Sequence, residues 1–253
     1  MNFIVGDIGN TLTKICLISN KLRIIKSSNI ETNNLFHKKK LNTFLNKIIK
    51  NKINNKILFS SVVPSAYKVI KKRLMKKKYR VFEIKNLKIK KIIKLNVRKI
   101  SQVGSDRIAN AIGAYYQYKR NCLVIDFGTA TTFDIVKKPG IYEGGVISPG
   151  VNLSIANLHK STSLLPTFNL KSNVKSYGKN TKEALNAGFL WGYQGLINNI
   201  IKKISLTSKT NYKNILTGGQ ASLFKKYIIN KPIVDQNITI KGLIKIYNEL
   251  LGK

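Results

Sequence analysis

The chain has 253 residues, 43% of them apolar, and carries 46 Lys and Arg against 10 Asp and Glu, for a net charge of +36. That length and apolar content can bury one large core or two smaller ones, and no run of about 18 apolar residues marks a membrane-spanning helix. The N-terminal MNFIVGDIGN lacks both a basic segment and a long apolar segment, so no signal peptide is expected and a cytoplasmic location is.

In chain order, apolar and β-branched content predicts strands over 2–8, 12–18 and 23–27, with GNT at 9–11 as the turn between the first two. Helical spacing of Leu41, Phe44, Leu45, Ile48 and Ile49 predicts a helix over 41–52. KILFSSV at 56–62 reads as a strand, and Pro64 suits the first turn of a helix running to about 77. The densest basic cluster, KKRLMKKK at 71–78, falls on that helix as a solvated face. Lys, Asn and Ile are over-used everywhere, loops included, which is the drift that AT-rich codons produce. No aromatic stacking platform accompanies the lysines, so nucleic-acid binding is not expected as the main role.

A strand at 80–84 and an ambiguous stretch of Ile and Lys at 86–103 lead to GSDRIANAIGAYYQY at 104–118, a helix opened by a Gly-Ser-Asp turn. Strands follow at 122–126, 130–136 and 142–147, then a Pro-Gly turn at 149–150 and a helix to about 159. Residues 161–180 are polar and loop-like. A long helix covers 181–204, with Glu183 in its first turn and Lys202 and Lys203 in its last, as the helix dipole favours. The remainder reads as a strand into TGG at 214–219, a helix over 220–229, a short strand at 232–234 and a helix over 239–251. Cys16 and Cys122 sit in apolar strands, far apart, and read as buried small residues rather than metal or redox groups.

One plan occurs twice. VGDIGNTLTKICL (5–17) and VIDFGTATTFDIV (124–136) both run strand, Asp, X, Gly, hydroxyl-rich turn, strand, with Asp7 and Asp126 119 positions apart. This predicts a duplicated α/β unit and two similar lobes, 1–115 and 116–253, with both Asp-Gly turns facing a central cleft. The five aspartates are Asp7, Asp106, Asp126, Asp134 and Asp235, and the first three stand within two residues of a Gly. In a chain so poor in acids, those three rank first as candidate site residues. A glycine turn supplies positive φ and bares backbone N–H groups, which hold phosphate oxygens together with Thr hydroxyls. An Asp beside phosphates needs a cation between them, so the pattern points to metal–nucleotide binding. The bland reading is a hairpin with a capping Asp; two matching turns and a strand–TGG–helix at 216–220 weigh against it.

The combination resembles the actin-like ATPase and sugar/acetate kinase superfamily, and within it the type III pantothenate kinases. The residues that carry the resemblance are GDIGNTLTK (6–14), SSVVP (60–64), VGSDRIAN (103–110), IDFGTATTFD (125–134), YEGGVISPG (142–150), LLP (164–166), GKNTKEALNAG (178–188), LTGGQ (216–220) and ITIKGL (238–243). They keep the family's order along nearly the whole chain. The resemblance implies a duplicated ribonuclease H-like α/β fold. It also implies transfer of the ATP γ-phosphate, with Mg²⁺, to the primary hydroxyl of pantothenate, the first step of coenzyme A synthesis.

The resemblance places Asp7, Ile8, Gly9, Asn10, Thr11, Leu12, Thr13 and Lys14 at the first ATP turn, with Asp7 organising Mg²⁺. Thr129 matches an ATP-contacting hydroxyl, and Gly218 and Gly219 match the turn that receives adenosine. Gly104, Ser105, Asp106 and Arg107 match the pantothenate-binding segment, with Asp106 as catalytic base. Asp126 matches a monovalent-cation site for K⁺ or ammonium. Thr181 matches a residue reaching pantothenate from the partner subunit of a homodimer. Three alternatives stay open: Asp106 as a helix N-cap, Arg107 in a structural salt bridge, and Thr181 as a plain N-cap. Ala184, Ala187, Gly188, Gly192 and Gly195 on one side of the long helix suit either a dimer core or internal packing. Two departures stand out. NVRKISQ (96–102) lacks the family's usual turn and neighbouring aromatic, with Leu95 where that aromatic is sought, and Asn237 stands where an acid is usual. Another kinase of the superfamily would lack the GSDR segment, and a non-enzymatic regulator on the same fold would be expected to lose one of Asp7, Asp106 or Asp126.

Overall fold

The structure, a computed structural model, describes residues 1–49 and 53–252. Two sheets repeat one layout. The first is built from β1 (Phe3–Ile8), β2 (Leu12–Ile18), β3 (Ile24–Glu31), β4 (Lys56–Ser61) and β5 (Arg80–Glu83), in the order β3-β2-β1-β4-β5. The second contains β7 (Cys122–Phe127), β8 (Ala130–Lys137), β9 (Ile141–Pro149), β10 (Lys213–Gly218) and β11 (Ile233–Val234), in the order β11-β10-β7-β8-β9. The short β6 (Lys94–Leu95) pairs with Ile141 and Tyr142 at the start of β9. In each sheet the first strand forms an antiparallel hairpin with the second and a parallel pair with the fourth. β1 and β7 are both six residues long with the same burial pattern, four buried, one half-buried, one buried. The half-buried residue is Asp7 in one and Asp126 in the other. The duplication expected from sequence is therefore present strand for strand.

The chain divides into two compact units. The first is Met1–Lys119, Pro139–Glu143 and Asn237–Lys253; the second is Arg120–Lys138 and Gly144–Gln236. The sequence alone sets a single boundary near 115 and leaves the C-terminal helix with the second lobe; here residues 237–253 return to the first unit.

In the first unit, α1 (Lys38–Ile48) and α2 (Pro64–Met75) cover one sheet face. Leu41, Phe44, Leu45, Ile70 and Leu74 pack there on Ile4, Ile8, Ile15, Ile57 and Phe59. Residues 50–52, the end of the helix predicted over 41–52, lie outside the described residues. Two further helices, α3 (Ser105–Tyr118) and α7 (Ile238–Leu250), pack on each other and on β1 and β4. Their crossing is tight because it is built on glycines. A Cβ at Gly242 would collide with the Ala109 carbonyl, and one at Gly113 with the Ile238 carbonyl. Thr239 Oγ1 donates to Oδ1 of buried Asn110 at 2.7 Å, and Phe3 stacks on Tyr247 with ring centroids 3.9 Å apart. Burial of Ile238, Ile240, Leu243, Ile246 and Tyr247 is worth roughly 1.5–3 kcal/mol per side chain, which explains why α7 belongs with this sheet.

In the second unit, α4 (Val151–Lys160), α5 (Thr181–Ser208) and α6 (Ala221–Phe224) enclose Leu123, Ile125, Phe127 and Phe133. The helix predicted over 220–229 is cut to α6 and a 3₁₀ turn, Lys225–Tyr227. Asn230 and Lys231 take left-handed φ of 65° and 44° ahead of Pro232, which a helix cannot pass. The ambiguous stretch at 86–103 contains β6 and two of three short 3₁₀ turns, Ile84–Asn86, Ile89–Lys91 and Ile100–Gln102. Neither cysteine forms a disulfide, and both are fully buried in strands, as small core residues. Among the described residues no helix is long and apolar enough to cross a membrane.

Candidate active site

In the first unit, the β1–β2 register sets Asp7 opposite Lys14, and the β1–β4 register sets it beside Ser60. Registered neighbours share a sheet face, so a carboxylate and an ammonium stand together at the mouth of the hairpin. Lys14 Nζ is held by Asn237 Oδ1 at 2.7 Å, at the N-terminus of α7. Gly9 N–H donates to Leu12 O at 3.1 Å and closes the tip, leaving Asn10, Thr11 and Leu12 exposed. Ile8 and Thr13 point the other way. Both are fully buried, so their side chains belong to the core rather than to a nucleotide contact. Thr13 Oγ1 meets Thr32 Oγ1 at 3.0 Å; Thr32 Oγ1 also donates to Gly9 O at 2.7 Å, and Thr32 N–H to Thr11 O at 2.9 Å. Thr32, which no sequence pattern singles out, is thus the buried post that ties down the tip.

The GSDR segment opens α3. Gly104 is the N-cap, without a side-chain cap bond, so Asp106 is not the cap that the sequence left open but the second helical residue. Its Oδ1 accepts from the Arg107 N–H at 2.8 Å, and a Cβ added at Gly104 would collide with that same oxygen. Burial pushes the Asp106 carboxyl above the ordinary 3.8, outweighing the Arg107 N–H, the Arg107 charge, its own N–H and Lys85, all of which pull it down. Arg107 lies over the buried ring of Tyr142, 6.0 Å from its centroid. Ser105 turns inward; it is fully buried and its hydroxyl donates to Glu83 at 2.5 Å, so its side chain does not face a ligand. Beside this turn is a cavity of about 620 Å³, with Leu95, Ile100 and Ile108 in its apolar wall and Lys85, Lys88 and Lys91 among its lysines.

In the second unit, Asp126 registers with Thr132 on β8 and Thr217 on β10. Gly218 has φ +83°, and a Cβ there would come within 2.6 Å of both Asp126 Oδ1 and Phe127 O. Gly219 N–H donates to Phe127 O at 3.0 Å. These contacts bring Asp126, Gly218 and Gly219 into one oxygen-lined corner. Thr129 is exposed on the hairpin tip, against which Gly150 packs so closely that a Cβ would strike the Thr129 carbonyl. Gly150 is a second feature the sequence shows only as a Pro-Gly turn.

The expected reason for the tip glycines is corrected. Among the described residues the left-handed glycines are Gly140, Gly144 and Gly218; Gly9 and Gly128 are not left-handed. The closing pairs Ile8–Thr13 and Phe127–Thr131 leave four- and three-residue loops, longer than the two-residue turns that demand positive φ. At Gly128 a Cβ would meet only Ala130 O at 3.4 Å and Asp126 Oδ1 at 3.9 Å. Neither tip glycine is required by a left-handed backbone; at Gly9 a Cβ would crowd the Leu12 carbonyl at 3.0 Å, and at Gly128 it would make only ordinary contacts.

Thr181 is the exposed first residue of α5, and Asn180 rather than Thr181 caps the helix by accepting from Glu183 N–H at 3.0 Å. Thr181 lines a groove of about 670 Å³ with Leu158, Leu165, Gly188, Phe189 and Gly192. Added Cβ atoms at Gly188, Gly192 and Gly195 would meet nothing within 4 Å. The small-residue side of α5 is therefore not used in packing within the chain at these glycines.

A family model described as type III pantothenate kinase matches residues 3–203. A type III pantothenate kinase of Pelagibacter ubique is 46% identical over 244 residues, covering 96% of this chain and 97% of the relative. One of Persephonella marina is 34% identical over 254 residues, covering 96% of each. Among solved structures, a protein of Campylobacter jejuni provisionally described as a Baf family transcriptional activator matches with TM-score 0.63 at 22% identity, covering 98% of each chain. An activator of 2-hydroxyisocaproyl-CoA dehydratase from Clostridium difficile, with bound ADPNP, matches with TM-score 0.59 at 13% identity, covering 96% of this chain and 92% of that one. These structural likenesses show the fold, that of actin-like ATPases and sugar kinases.

Proposed function

This chain belongs to the type III pantothenate kinase family, and from that premise we propose how its residues divide the work of phosphorylating pantothenate with ATP in coenzyme A biosynthesis. The observation that carries the reading is that Asp106 is fixed in the first turn of α3, the turn whose Ile108 lines a cavity with an apolar wall and basic residues around it. Asp106 orients the primary hydroxyl of pantothenate and takes its proton late, which a loose phosphoryl-transfer transition state permits even for a weak base. Arg107 and the lysines of the cavity suit the pantothenate carboxylate.

At the β1–β2 hairpin, Lys14, Asn10, Thr11 and the tip N–H groups hold the triphosphate. Asp7 suits Mg²⁺. No group of three or more His, Cys, Asp and Glu that could cage a metal occurs among the described residues. One carboxylate plus nucleotide phosphates is the donor set that Mg²⁺ commonly takes. Bound with ATP, Mg²⁺ neutralises charge on the β- and γ-phosphates. Thr129 contacts ATP from the second hairpin, and the Gly218–Gly219 turn receives adenosine. Asp126 Oδ1 and Phe127 O converge at Gly218, an all-oxygen set that suits K⁺ or ammonium.

The chain works as a homodimer. The open glycines of α5 and the apolar groove that starts at Thr181 support a helix-to-helix interface, and Thr181 reaches the partner's pantothenate from its edge. Incubation of purified protein with Mg-ATP and pantothenate tests the reading. Phosphopantothenate formed faster with K⁺ than with Na⁺ is expected. A folded, ATP-binding protein that forms none would move the acceptor elsewhere.

A further inference from the structure

Glu83 is a buried carboxylate to which the reading above gives no task. It closes β5 and is 8% exposed, in a chain with five glutamates. Burying a carboxylate is costly unless its oxygens are bonded. Both are: Oε1 accepts from Ser105 Oγ at 2.5 Å and Oε2 from the Lys85 N–H at 2.8 Å. Ser105 is the first residue of α3, fully buried, and Asp106 follows it. The N-cap of this helix is a glycine, which contributes no side-chain bond. The first turn of α3 is instead tied to β5 through the Ser105 side chain, by Glu83.

We propose that Glu83 is a positioning residue for phosphoryl transfer, fastening the first turn of α3 to the end of β5 through Ser105 and so fixing where the Asp106 carboxylate points. The inference rests on the reading of Asp106 as the group that orients the acceptor hydroxyl. The carboxylate accepts from both partners in charge-assisted bonds, which are shorter and stronger than neutral ones. A glutamine can hold Ser105 only by reversing that bond, its NH₂ donating to the hydroxyl oxygen, so the link survives only in a longer and weaker form. Misplacing a reacting group by about 1 Å can cost about 10²-fold in rate, so a small slackening of this link is visible in turnover.

The test compares Glu83→Gln, Ser105→Ala and the double variant with the unmodified full chain, varying pantothenate at saturating Mg-ATP and the reverse, with melting temperatures alongside. The expected result is a kcat lower by about 10- to 100-fold with an unchanged KM for ATP, and a double variant no worse than the worse single one, because one link has been cut twice. Additive losses, a loss spread equally over ATP and pantothenate, or ordinary kinetics in a folded Glu83→Gln protein overturn the proposal. If Glu83→Gln does not fold, Ser105→Ala decides: the same kcat loss supports the link and ordinary kinetics overturns it. Asp106→Asn separates this inference from the reading beneath it. Turnover retained in Asp106→Asn sinks both. An inactive Asp106→Asn beside an unimpaired Glu83→Gln sinks the positioning role alone.

Discussion

The Asp106 carboxylate stands in the space that a side chain at Gly104 would need. The atom a Cβ would strike is Asp106 Oδ1, the end of a side chain rather than backbone. Gly104→Ala is therefore expected to fold, since its backbone is extended with φ −60° and ψ 142°, but to push the carboxylate aside. Turnover should fall by about 10²-fold with a melting temperature close to that of the unmodified protein. Steady-state kinetics and a thermal melt check both halves.

Asp106 also predicts a pH signature. Its folded pKa lies above the ordinary value because burial outweighs its hydrogen bonds and neighbouring charges. If the ionised form is the base, kcat/KM for pantothenate declines with falling pH through a pKa above the usual carboxylate range. Stability moves the opposite way. A raised folded pKa contributes stability below the unfolded pKa, and that contribution is lost as pH rises through the folded pKa. At neutral pH the ionised carboxylate is therefore a cost, and Asp106→Asn, which keeps an acceptor for the Arg107 N–H, should melt higher than the unmodified protein. Equal melting curves at neutral pH would contradict this.

Gly128 and Gly218 should part company on substitution. Gly128→Ala meets only ordinary contacts, so it should fold normally and weaken ATP binding by shielding the tip N–H groups. Gly218→Ala forces a left-handed φ of +83° on a side chain that also meets Phe127 O. It should destabilise by about 1–3 kcal/mol, read as a lower urea midpoint.

The α5 groove predicts an oligomeric defect. Gly192→Arg places a long charge on the groove side of the helix, where an added Cβ meets nothing within 4 Å. The variant should fold, elute as a monomer and lose turnover, since Thr181 would no longer reach a partner's pantothenate. Light scattering after size exclusion, beside the activity assay, checks this; an active monomer would remove Thr181 from the site.

Both hairpins are legible in the sequence because β-branched runs bounded by glycine turns are local signals, and Asp7 and Asp126 mark matching places in them. Direction within the motifs is harder to read. Thr13 and Ser105 sit within motifs expected to meet ligands, yet each turns inward to a partner 19 or 22 positions away that no motif names. Glu83 reads only as the end of a short strand until Ser105 is beside it. The return of α7 to the first unit depends on Gly113 and Gly242 allowing two backbones to touch, and apolar spacing carries no trace of that.

The most direct test of the account is the turnover of Asp106→Asn with Mg-ATP and pantothenate, measured beside its affinity for ATP. The account predicts that phosphorylation collapses, by at least about 10²-fold as for loss of a positioned acid–base group, while ATP binds as before. Phosphorylation at the ordinary rate would contradict it and remove Asp106 from the chemistry.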